Sequence, residues 1–330
     1  MTAVVLTPSG PFSLAASVRF LEGFTPASYQ GAADDVLRLA FPTDDGHSTV
    51  AVAVRQEEAA GGEAGGVRAE FTTHPDPGTP ADPGSDGTGT GTGTGTEAVR
   101  AQLARILSLD VDGSGFPGLA AADPAVAGLM ADYPGLRPVC FHSPYEAAAW
   151  AIIGHRIRMT QAAAIKARIA ERHGRHVRIE GRTLCAFPTP PALRAITRAP
   201  GLTEVKIERL HALAEAADAG ELDAARLRSM PVDEALAALR DLPGIGPFSA
   251  ELILIRGAGH PDVFPRHEPR LHAAMADAYG LGEADAGDIR RLAGIADRWR
   301  PYRSWIALLL RARAAHISGR TSSPHRRAGS

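Results

Sequence analysis

The amino-acid sequence predicts an α+β fold, with a small antiparallel α/β amino-terminal domain over residues 1–112 and an all-α domain over residues 113–317. Strand-like apolar runs occur before residue 112, whereas apolar residues recur at helical spacing from residue 113 onward. The charge changes at the same place, from a net −9 over 1–112 to a net +7 over 113–330. An acidic domain attached to a basic one is the asymmetry expected when only the basic domain meets phosphate.

The amino-terminal domain is predicted from three strand-like runs, at 36–41, 49–55 and 67–71, and a helix at about 97–107. A segment at 72–96, which ends in Gly-Thr repeats, interrupts this domain. Because such repeats carry no large apolar side chains to bury, we predict a disordered insertion there. We also predict that the last residues, 318–330, form a disordered tail.

The all-α domain is predicted from eight segments in which apolar residues recur at helical spacing. These segments are 145–153, 160–171, 190–197, 203–218, 232–241, 247–257, 269–278 and 288–315. Glycine and proline residues separate them, at Gly174, Gly220, Gly257, Gly280, Pro200-Gly201 and Pro301. The pattern is helical throughout, so we expect one helical domain or a pair of lobes with a cleft between them.

The most informative stretch is Leu242-Pro243-Gly244-Ile245-Gly246, which lies between the predicted helices 232–241 and 247–257. Its two glycines permit positive φ and bring bare backbone to the surface of a partner. The second helix then begins with N–H groups that have no helical acceptor, which is a site for phosphate. This combination predicts a helix-hairpin-helix that grips a nucleic-acid backbone, with an ordinary tight turn between two helices as the alternative. A P-loop is excluded because no Lys-Ser or Lys-Thr follows the glycines.

Two apparent metal motifs are rejected. The sequence from Asp110 to Gly115 resembles the first half of a calcium loop, but the position that needs a bidentate Glu is Ala121. The side chains of His267, Glu268 and His272 do not share one helical face, and Pro269 stands between them. We interpret these three as ordinary solvated or hydrogen-bonded side chains.

Composition favours a cytoplasmic protein, associated with the nucleoid if the source is bacterial. The 330 residues are 45% hydrophobic, which is enough for two or three cores. The two cysteines, Cys140 and Cys185, are too few for a disulfide framework or a four-cysteine iron–sulfur site. No apolar stretch of membrane-spanning length and no secretory leader occurs in the sequence, so no membrane contact is expected.

Several further motifs occur in a recognisable order around the hairpin. They are Gly10-Pro11-Phe12-Ser13-Leu14, Leu109-Asp110-Val111-Asp112, Pro134-Gly135-Leu136-Arg137-Pro138, Pro144-Tyr145-Glu146, Ala151-Ile152-Ile153-Gly154, Asp262-Val263-Phe264-Pro265-Arg266-His267-Glu268 and Arg298-Trp299-Arg300-Pro301-Tyr302-Arg303-Ser304-Trp305. With the hairpin, they make the chain resemble the AlkA-type 3-methyladenine DNA glycosylases of the helix-hairpin-helix glycosylase superfamily. The resemblance covers about 10–317 and is strongest over 133–310.

The resemblance implies a catalytic carboxylate six residues after the Asp of the Asp-Val-Phe motif. Counting from Asp262, that position holds Glu268, where the family has Asp. A carboxylate beside the sugar carbon stabilises an oxocarbenium-like transition state or orients water, as in sugar hydrolysis. The alternative is that Glu268 simply caps the helix predicted at 269–278. Either role is compatible with its place in the sequence.

Bifunctional members of the superfamily carry a Schiff-base lysine just after Gly-x-Gly, but here that position is Phe248. The resemblance therefore implies a monomeric, monofunctional DNA glycosylase that excises damaged, alkylated bases from double-stranded DNA in base-excision repair. It does not identify which base lesion is excised. The alternative is a catalytically weak or inactive protein of the same fold that binds DNA or its lesions. No iron–sulfur cluster or other cofactor is expected.

The resemblance also assigns residues to DNA, to the base and to a cation. The DNA contacts are Gly244, Ile245, Gly246, Phe248, Ser249, Ala250, His155 and Arg156. The base pocket is formed by Phe20, Trp150, Phe248, Leu252 and Arg311. The main-chain carbonyls of Arg240, Leu242 and Ile245 would bind a monovalent cation.

The chain departs from the family at several of these positions. The family's apolar wedge, which fills the gap left by a flipped base, corresponds to Arg156, with an exposed helix face as the alternative reading of that residue. A pocket tryptophan corresponds to Arg311, and two pocket tyrosines correspond to Leu252 and Pro269. Because aromatic faces attract a cationic alkylated base, these changes argue against a conventional 3-methyladenine pocket.

Overall fold

The computed structural model describes residues 1–27, 29, 31, 34–57, 65–76 and 93–321. The chain divides into two compact units, one formed by Met1–Ser114 with Gly135–His260, and the other by Gly115–Pro134 with Pro261–Ser330. The amino-terminal sheet therefore shares a unit with most of the helices, and the predicted division at residue 112 stays a prediction. Most of the predicted insertion, at 77–92, and the tail from 322 onward lie outside the described residues.

The first unit contains a four-stranded antiparallel sheet with the order β1-β4-β3-β2. Its strands are β1 (Thr2–Leu6), β2 (Leu37–Pro42), β3 (Ser48–Gln56) and β4 (Val67–Pro75). The three predicted strands are confirmed, whereas β1 was missed because its five residues carry no turn signal before them. Strand β4 continues to Pro75, so the first residues of the predicted insertion belong to the sheet.

Two helices, α1 (Leu14–Gly23) and α2 (Gly93–Ile106), contribute to the core on one face of this sheet. Ser13 caps α1, because its side chain accepts the N–H of Ala16. Helix α2 begins at Gly93, inside the Gly-Thr repeats and four residues before the predicted start. Its fully buried Leu103 and Ile106 pack in the same cluster as Phe41.

A two-stranded hairpin, β5 (His176–Ile179) and β6 (Arg182–Cys185), corrects the expectation that the chain is helical throughout after residue 113. Val177 and Ile179 alternate with polar residues, and Glu180 and Gly181 both take positive φ, so the hairpin had a short period-two signal that was overlooked. The hairpin packs on small residues of the sheet, including Ala51 and Ala53.

Apart from this hairpin, the regular elements that follow the sheet in the first unit are helices. The short helices α3 (Leu119–Ala122) and α4 (Pro124–Asp132) belong instead to the second unit. The first unit continues with α5 (Pro144–Gly154), α6 (Met159–His173), α7 (Pro190–Arg194), α8 (Glu204–Asp218), α9 (Ala224–Ser229), α10 (Val232–Asp241) and α11 (Pro247–Leu252), followed by a π-helical turn at Ile253–Gly257. The predicted boundaries of α10 are confirmed at both ends.

Helix α5 is buried on almost every side and is the centre of the helical part of the first unit. It packs against α6, α8 and the π-helical turn. A Cβ on Gly257 would lie 2.8 Å from Cα of Pro144, so this close approach requires glycine. Buried Glu146 on α5 is paired with Lys166 Nζ at 2.6 Å and His142 Nδ1 at 2.8 Å. Burial would raise the pKa of Glu146, but these two partners outweigh it and hold the pKa far below its usual range.

The second unit also contains α12 (Pro269–Tyr279), α13 (Glu283–Ala286), α14 (Ile289–Ala296) and α15 (Arg303–Thr321). The helix predicted at 288–315 is thus two helices, separated by a 3₁₀ turn at Asp297–Trp299 and by Pro301. The rings of Phe116, Tyr302 and Trp305 pack edge-to-face or tilted within this unit. None of the helices in the described part of the chain is both long enough and apolar enough to cross a lipid bilayer.

Candidate DNA interface and active site

Five residues, Leu242 to Gly246, join α10 to α11, and the two glycines among them differ in conformation. Gly244 has φ +89°, which favours glycine, and a Cβ there would lie 2.7 Å from Cδ of Arg209. Gly246 has φ −93° and ψ 179°, an extended conformation open to any residue, and no heavy atom lies within 4 Å of its ideal Cβ. The expectation of positive φ is therefore right for Gly244 and wrong for Gly246, which instead leaves an open approach to the backbone.

The start of α11 decides which amides could meet a phosphate. Ile245 and Leu242 are buried and anchor the turn. Pro247 has no N–H. The N–H of Ala250 donates to the carbonyl of Gly246 at 2.9 Å, so this amide already has an acceptor within the helix. Helical geometry leaves the amides of Phe248 and Ser249 without a helical acceptor, and no side chain caps them. These two amides are the phosphate donors that the local geometry supports.

The predicted wedge residue does not lie on a helix face. Helix α5 ends at Gly154 with His155 as its C-cap, and the exposed Arg156 follows in the connection to α6. Arg156 has φ +57°, a left-handed conformation that is uncommon for a residue with a long side chain. Desolvation and the neighbouring cations Arg156, Arg209 and Lys206 lower the pKa of His155. The end of α5 therefore presents a cationic turn in an unusual backbone conformation.

The four predicted pocket residues of the first unit have different environments. Trp150 is buried within α5, whereas Phe248 is 45% exposed. Leu252 is half-buried one turn after Phe248 and shares its face of α11. Phe20 stacks on Phe24, with ring centroids 5.5 Å apart.

The Phe20 and Phe24 rings make cation–π contacts with Arg256, which sequence reasoning missed. The guanidinium carbon of half-buried Arg256 lies 5.3 Å from the Phe20 ring centroid and 4.5 Å from that of Phe24. Burial lowers the pKa of Arg256 to about 10. One Nη of Arg256 also donates to the carbonyl of Val139. The arginine was not apparent from the sequence because no local pattern relates it to α1.

In the second unit, two motifs that are far apart in the sequence interlock. The Asp262 carboxylate accepts hydrogen bonds from Arg303 Nε at 2.7 Å and from the Arg303 backbone N–H at 3.3 Å. Ser304 Oγ accepts the N–H of Val263 at 3.0 Å and donates to its carbonyl at 3.1 Å. Arg303 therefore holds the Asp262 side chain, and Ser304 holds the backbone of Val263. These contacts restrain the start of the segment that leads to Glu268.

Glu268 lies at the N-cap of α12, where its Oε1 accepts the N–H of Arg270 at 3.2 Å. Its side chain is 20% exposed, and Oε1 is 3.8 Å from Arg311 Nε. This is an ion pair that is longer than a hydrogen bond. The second unit thus brings two predicted site residues together, and the carboxylate both caps the helix and remains reachable by solvent. Burial lowers the pKa of Arg311, while the Glu268 carboxylate acts in the opposite direction.

The side chains once considered as metal ligands have other partners. A ring nitrogen of His272 lies 3.1 Å from the carbonyl of Pro265. Within the described ranges, no group of three His, Cys, Asp or Glu residues is arranged to hold a metal ion. Cys140 is buried and Cys185 is exposed, and both are free thiols.

We expect Arg303→Met to destabilise the second unit. The substitution removes the main partner of a largely buried carboxylate, Asp262, and should cost about 1–2 kcal/mol. Chemical denaturation measures this loss, and Arg290→Met, on an exposed position of α14, serves as control. Equal stability of the two variants would show that the Asp262–Arg303 contact contributes nothing.

Substitutions of Arg156 should separate backbone strain from the function of the side chain. Because φ is +57°, Arg156→Gly should raise the free energy of unfolding by about 1 kcal/mol, whereas Arg156→Ala keeps most of the strain. Both variants should reduce base flipping, measured as the fluorescence of 2-aminopurine beside a lesion. Native fluorescence in both would remove Arg156 as a wedge candidate.

Comparisons with known proteins agree with these features. No protein-family model matches the chain. The DNA-3-methyladenine glycosylase 2 of Escherichia coli (strain K12) is 32% identical over 195 residues, which cover 56% of this chain and 62% of that protein. The DNA-3-methyladenine glycosylase of Bacillus subtilis (strain 168) is 26% identical over 210 residues, which cover 61% of this chain and 67% of that protein. The match thus spans less than two thirds of the Escherichia coli relative.

Among solved structures, the 3-methyladenine DNA glycosylase from Archaeoglobus fulgidus has a TM-score of 0.71 and 22% sequence identity, covering 96% of this chain and 99% of that one. A likeness at this identity shows that the two share a fold, including the small sheet and the helices that follow it. The fold class predicted from the sequence is therefore confirmed. In sequence the chain is similar to these curated 3-methyladenine DNA glycosylases, and in fold it is similar to the solved one.

Proposed function

We propose that this protein is a monofunctional DNA glycosylase, of the 3-methyladenine DNA glycosylase II type, that excises alkylated bases from duplex DNA in base-excision repair. The observation that carries the proposal is the position and the partial exposure of the Glu268 carboxylate. Glu268 stands six residues after Asp262, at the N-cap of α12, with a carboxylate that is loosely paired and partly exposed. The names of the curated relatives support the same reaction class.

The proposed reaction breaks the bond between C1′ of the deoxyribose and the base nitrogen. The bonding electrons leave with the base, so a cationic alkylated base departs as a neutral molecule, and positive charge develops on the sugar. The Glu268 carboxylate stabilises this charge by electrostatics or orients the attacking water. The water oxygen bonds to C1′ and loses a proton, which leaves an abasic site.

A lyase step through a lysine imine would need a free lysine amine, and both lysine ammonium groups of this chain are engaged in other contacts. The Lys166 ammonium is paired with buried Glu146, and the Lys206 ammonium donates to two backbone carbonyls. Lys166 and Lys206 are the only lysines in the sequence. Because a Schiff base requires a free, uncharged amine facing the sugar, these contacts support a monofunctional hydrolysis.

DNA binding is proposed to rest on backbone contacts at the hairpin. The amides of Phe248 and Ser249 would hold a phosphate, and the open approach at Gly246 lets the DNA backbone come close to the chain. Arg156 would fill the space vacated by the flipped base. Double-stranded DNA as the ligand, a monomeric protein and a cytoplasmic location complete the proposal.

A monovalent cation at the hairpin is part of the same proposal, and the residues present fit one. The carbonyls of Arg240, Leu242 and Ile245 are neutral oxygen donors, which suit a hard cation of low charge. Arg240 stands in the last turn of α10, where carbonyls lack helical donors, while the carbonyl of Leu242 also accepts the N–H of Ile245 at 3.1 Å. When bound, such a cation would add positive charge beside the phosphate.

The proposed activity is tested by incubating the protein with alkylated duplex DNA and cleaving the resulting abasic sites with alkali. We expect strand breaks that depend on both enzyme and alkali, because a monofunctional enzyme leaves the sugar-phosphate backbone intact. Cleavage without alkali would contradict the monofunctional mechanism. Native affinity for DNA without any release of bases would instead identify a binding protein of glycosylase fold.

A further inference from the structure

Lys206 on α8 is a buried cation whose protein partners are backbone carbonyls. Its Nζ donates to the carbonyl oxygens of Ile153 at 2.7 Å and His155 at 2.9 Å. Among the residues that the structure describes, no carboxylate lies within ion-pair distance of this ammonium. Both carbonyls belong to the C-terminal end of α5, where helical carbonyls lack donors and where a positive charge is favoured.

These contacts fix the chain immediately before Arg156. The carbonyl of His155 belongs to the peptide unit that ends at the Arg156 nitrogen, so Lys206 anchors that peptide plane. On the other side, the N–H of Ile157 donates to the carbonyl of Gly154 at 3.3 Å and closes the turn. A residue with φ +57° persists only where its surroundings determine the conformation, and the Lys206 contacts are such a determinant.

The same helix also reaches the hairpin. Arg209 lies one turn after Lys206 on α8, and its Cδ would be 2.7 Å from a Cβ on Gly244. Residues three apart in a helix share a face, so one face of α8 contacts both the Arg156 turn and the hairpin turn. All of these residues belong to the first compact unit. The two proposed DNA-contacting turns are therefore linked through two adjacent side chains of α8.

We propose that Lys206 is a positioning residue for base flipping. Its ammonium group holds the peptide between His155 and Arg156, so that the Arg156 side chain is presented as a wedge at a fixed distance from the hairpin turn. The inference rests on the proposed function, because only a protein that flips bases needs a wedge. It differs from a general electrostatic contribution to DNA binding, since the Lys206 side chain is buried and its ammonium donates to two backbone carbonyls.

The test compares Lys206→Met, which keeps the apolar stem and removes the donors, with Lys206→Arg, which keeps a cation and two donors. The full-length variants are mixed with a duplex that carries a tetrahydrofuran abasic-site analogue beside 2-aminopurine, and fluorescence reports unstacking. We expect Lys206→Met to lose most of the fluorescence change and Lys206→Arg to retain most of it. Affinity for undamaged duplex should stay within about twofold, because the hairpin contacts are unchanged. On alkylated duplex, the single-turnover excision rate of Lys206→Met should fall roughly 10- to 100-fold.

A double variant shows whether the two residues act together. If Lys206 acts through Arg156, then Lys206→Met combined with Arg156→Ala should lose no more fluorescence change than Arg156→Ala alone. Additive losses would overturn the inference, as would a native fluorescence change in folded Lys206→Met. Should Lys206→Met fail to fold, Lys206→Gln keeps an amide donor and replaces it in the same comparison. A wild-type protein that releases no base contradicts the proposed function itself, whereas normal excision by both wild type and Lys206→Met contradicts only the role of Lys206.

Discussion

Replacing Glu268 with glutamine is expected to reduce the rate of base excision by about 10³-fold or more while DNA affinity stays native or increases. The substitution keeps the shape of the side chain and removes the charge that, in the proposed reaction, stabilises the developing oxocarbenium ion. A loss of about 10³-fold corresponds to about 4 kcal/mol of transition-state stabilisation, which is the range for an electrostatic contact in an active site. Single-turnover excision and fluorescence anisotropy measure the two quantities separately.

The fold should tolerate this substitution. Glu268 accepts the N–H of Arg270 and lies 3.8 Å from Arg311, and a glutamine carbonyl oxygen retains the first of these contacts. Even complete loss of this half-buried helix cap would cost only about 1–2 kcal/mol. Arg270→Gln, on the neighbouring exposed residue, is a suitable control for a change of charge at the start of α12. Excision at the native rate by Glu268→Gln would show that Glu268 is not the catalyst.

A second substitution asks whether the site is adapted to glutamate. The glutamate side chain is longer than aspartate by one carbon–carbon bond, about 1.5 Å, and a misplacement of about 1 Å costs on the order of 10²-fold in rate. In the structure the longer side chain approaches Arg311, which stands where the family has tryptophan. We therefore expect Glu268→Asp to be slower than the native enzyme. Faster excision by Glu268→Asp would mean that the native glutamate is a partial loss of function.

The sequence was most informative where a local pattern fixes the structure. The boundaries of α10 and the hairpin turn at Gly244 followed from periodic apolar residues and turn glycines. The β5–β6 hairpin was missed because its strands have four residues each and lie among helices. Short strands of this kind depend on a surface to pack against, and that surface is formed by distant alanines of the sheet.

The two lysines show what composition can and cannot reveal. Only two of the 35 basic residues are lysines, and both Lys166 and Lys206 are partners of buried groups. An ammonium is compact and can donate to several acceptors at once within the interior. Their rarity was therefore a usable signal. Their partners, the Glu146 carboxylate and the carbonyls at the end of α5, required the structure because they lie on other helices.

The pairing of Glu268 with Arg311 was likewise beyond sequence reasoning. The two positions were each identified from motifs, but 43 positions separate them, and no local pattern indicates that their side chains meet. The same holds for Asp262 and Arg303, which interlock across two motifs. Motifs in register thus selected the candidate residues, while the contacts that restrain each group depended on tertiary packing.

Replacing Gly246 with valine is expected to weaken binding to every duplex by about 10- to 100-fold. Loss of one charge-assisted hydrogen bond to a phosphate costs about 1.5–3 kcal/mol, and this range corresponds to those factors. The fold itself should accept valine, because Gly246 is in an extended conformation and its ideal Cβ meets no heavy atom within 4 Å. The effect therefore appears only when a partner approaches the backbone. Anisotropy titrations with damaged and undamaged duplexes of different sequence measure the loss.

A matched control exists at Gly282, which is also an N-cap glycine in an extended conformation, with φ −70° and ψ 165° and no heavy atom within 4 Å of its ideal Cβ. Gly282→Val carries the same cost of placing valine at an N-cap, so it isolates the contribution of the hairpin. Because backbone contacts carry no sequence information, the factor lost by Gly246→Val should be equal for all duplexes. A loss confined to one sequence or lesion would place Gly246 in base recognition, and equal affinities of the two valine variants would leave the hairpin with a structural role alone.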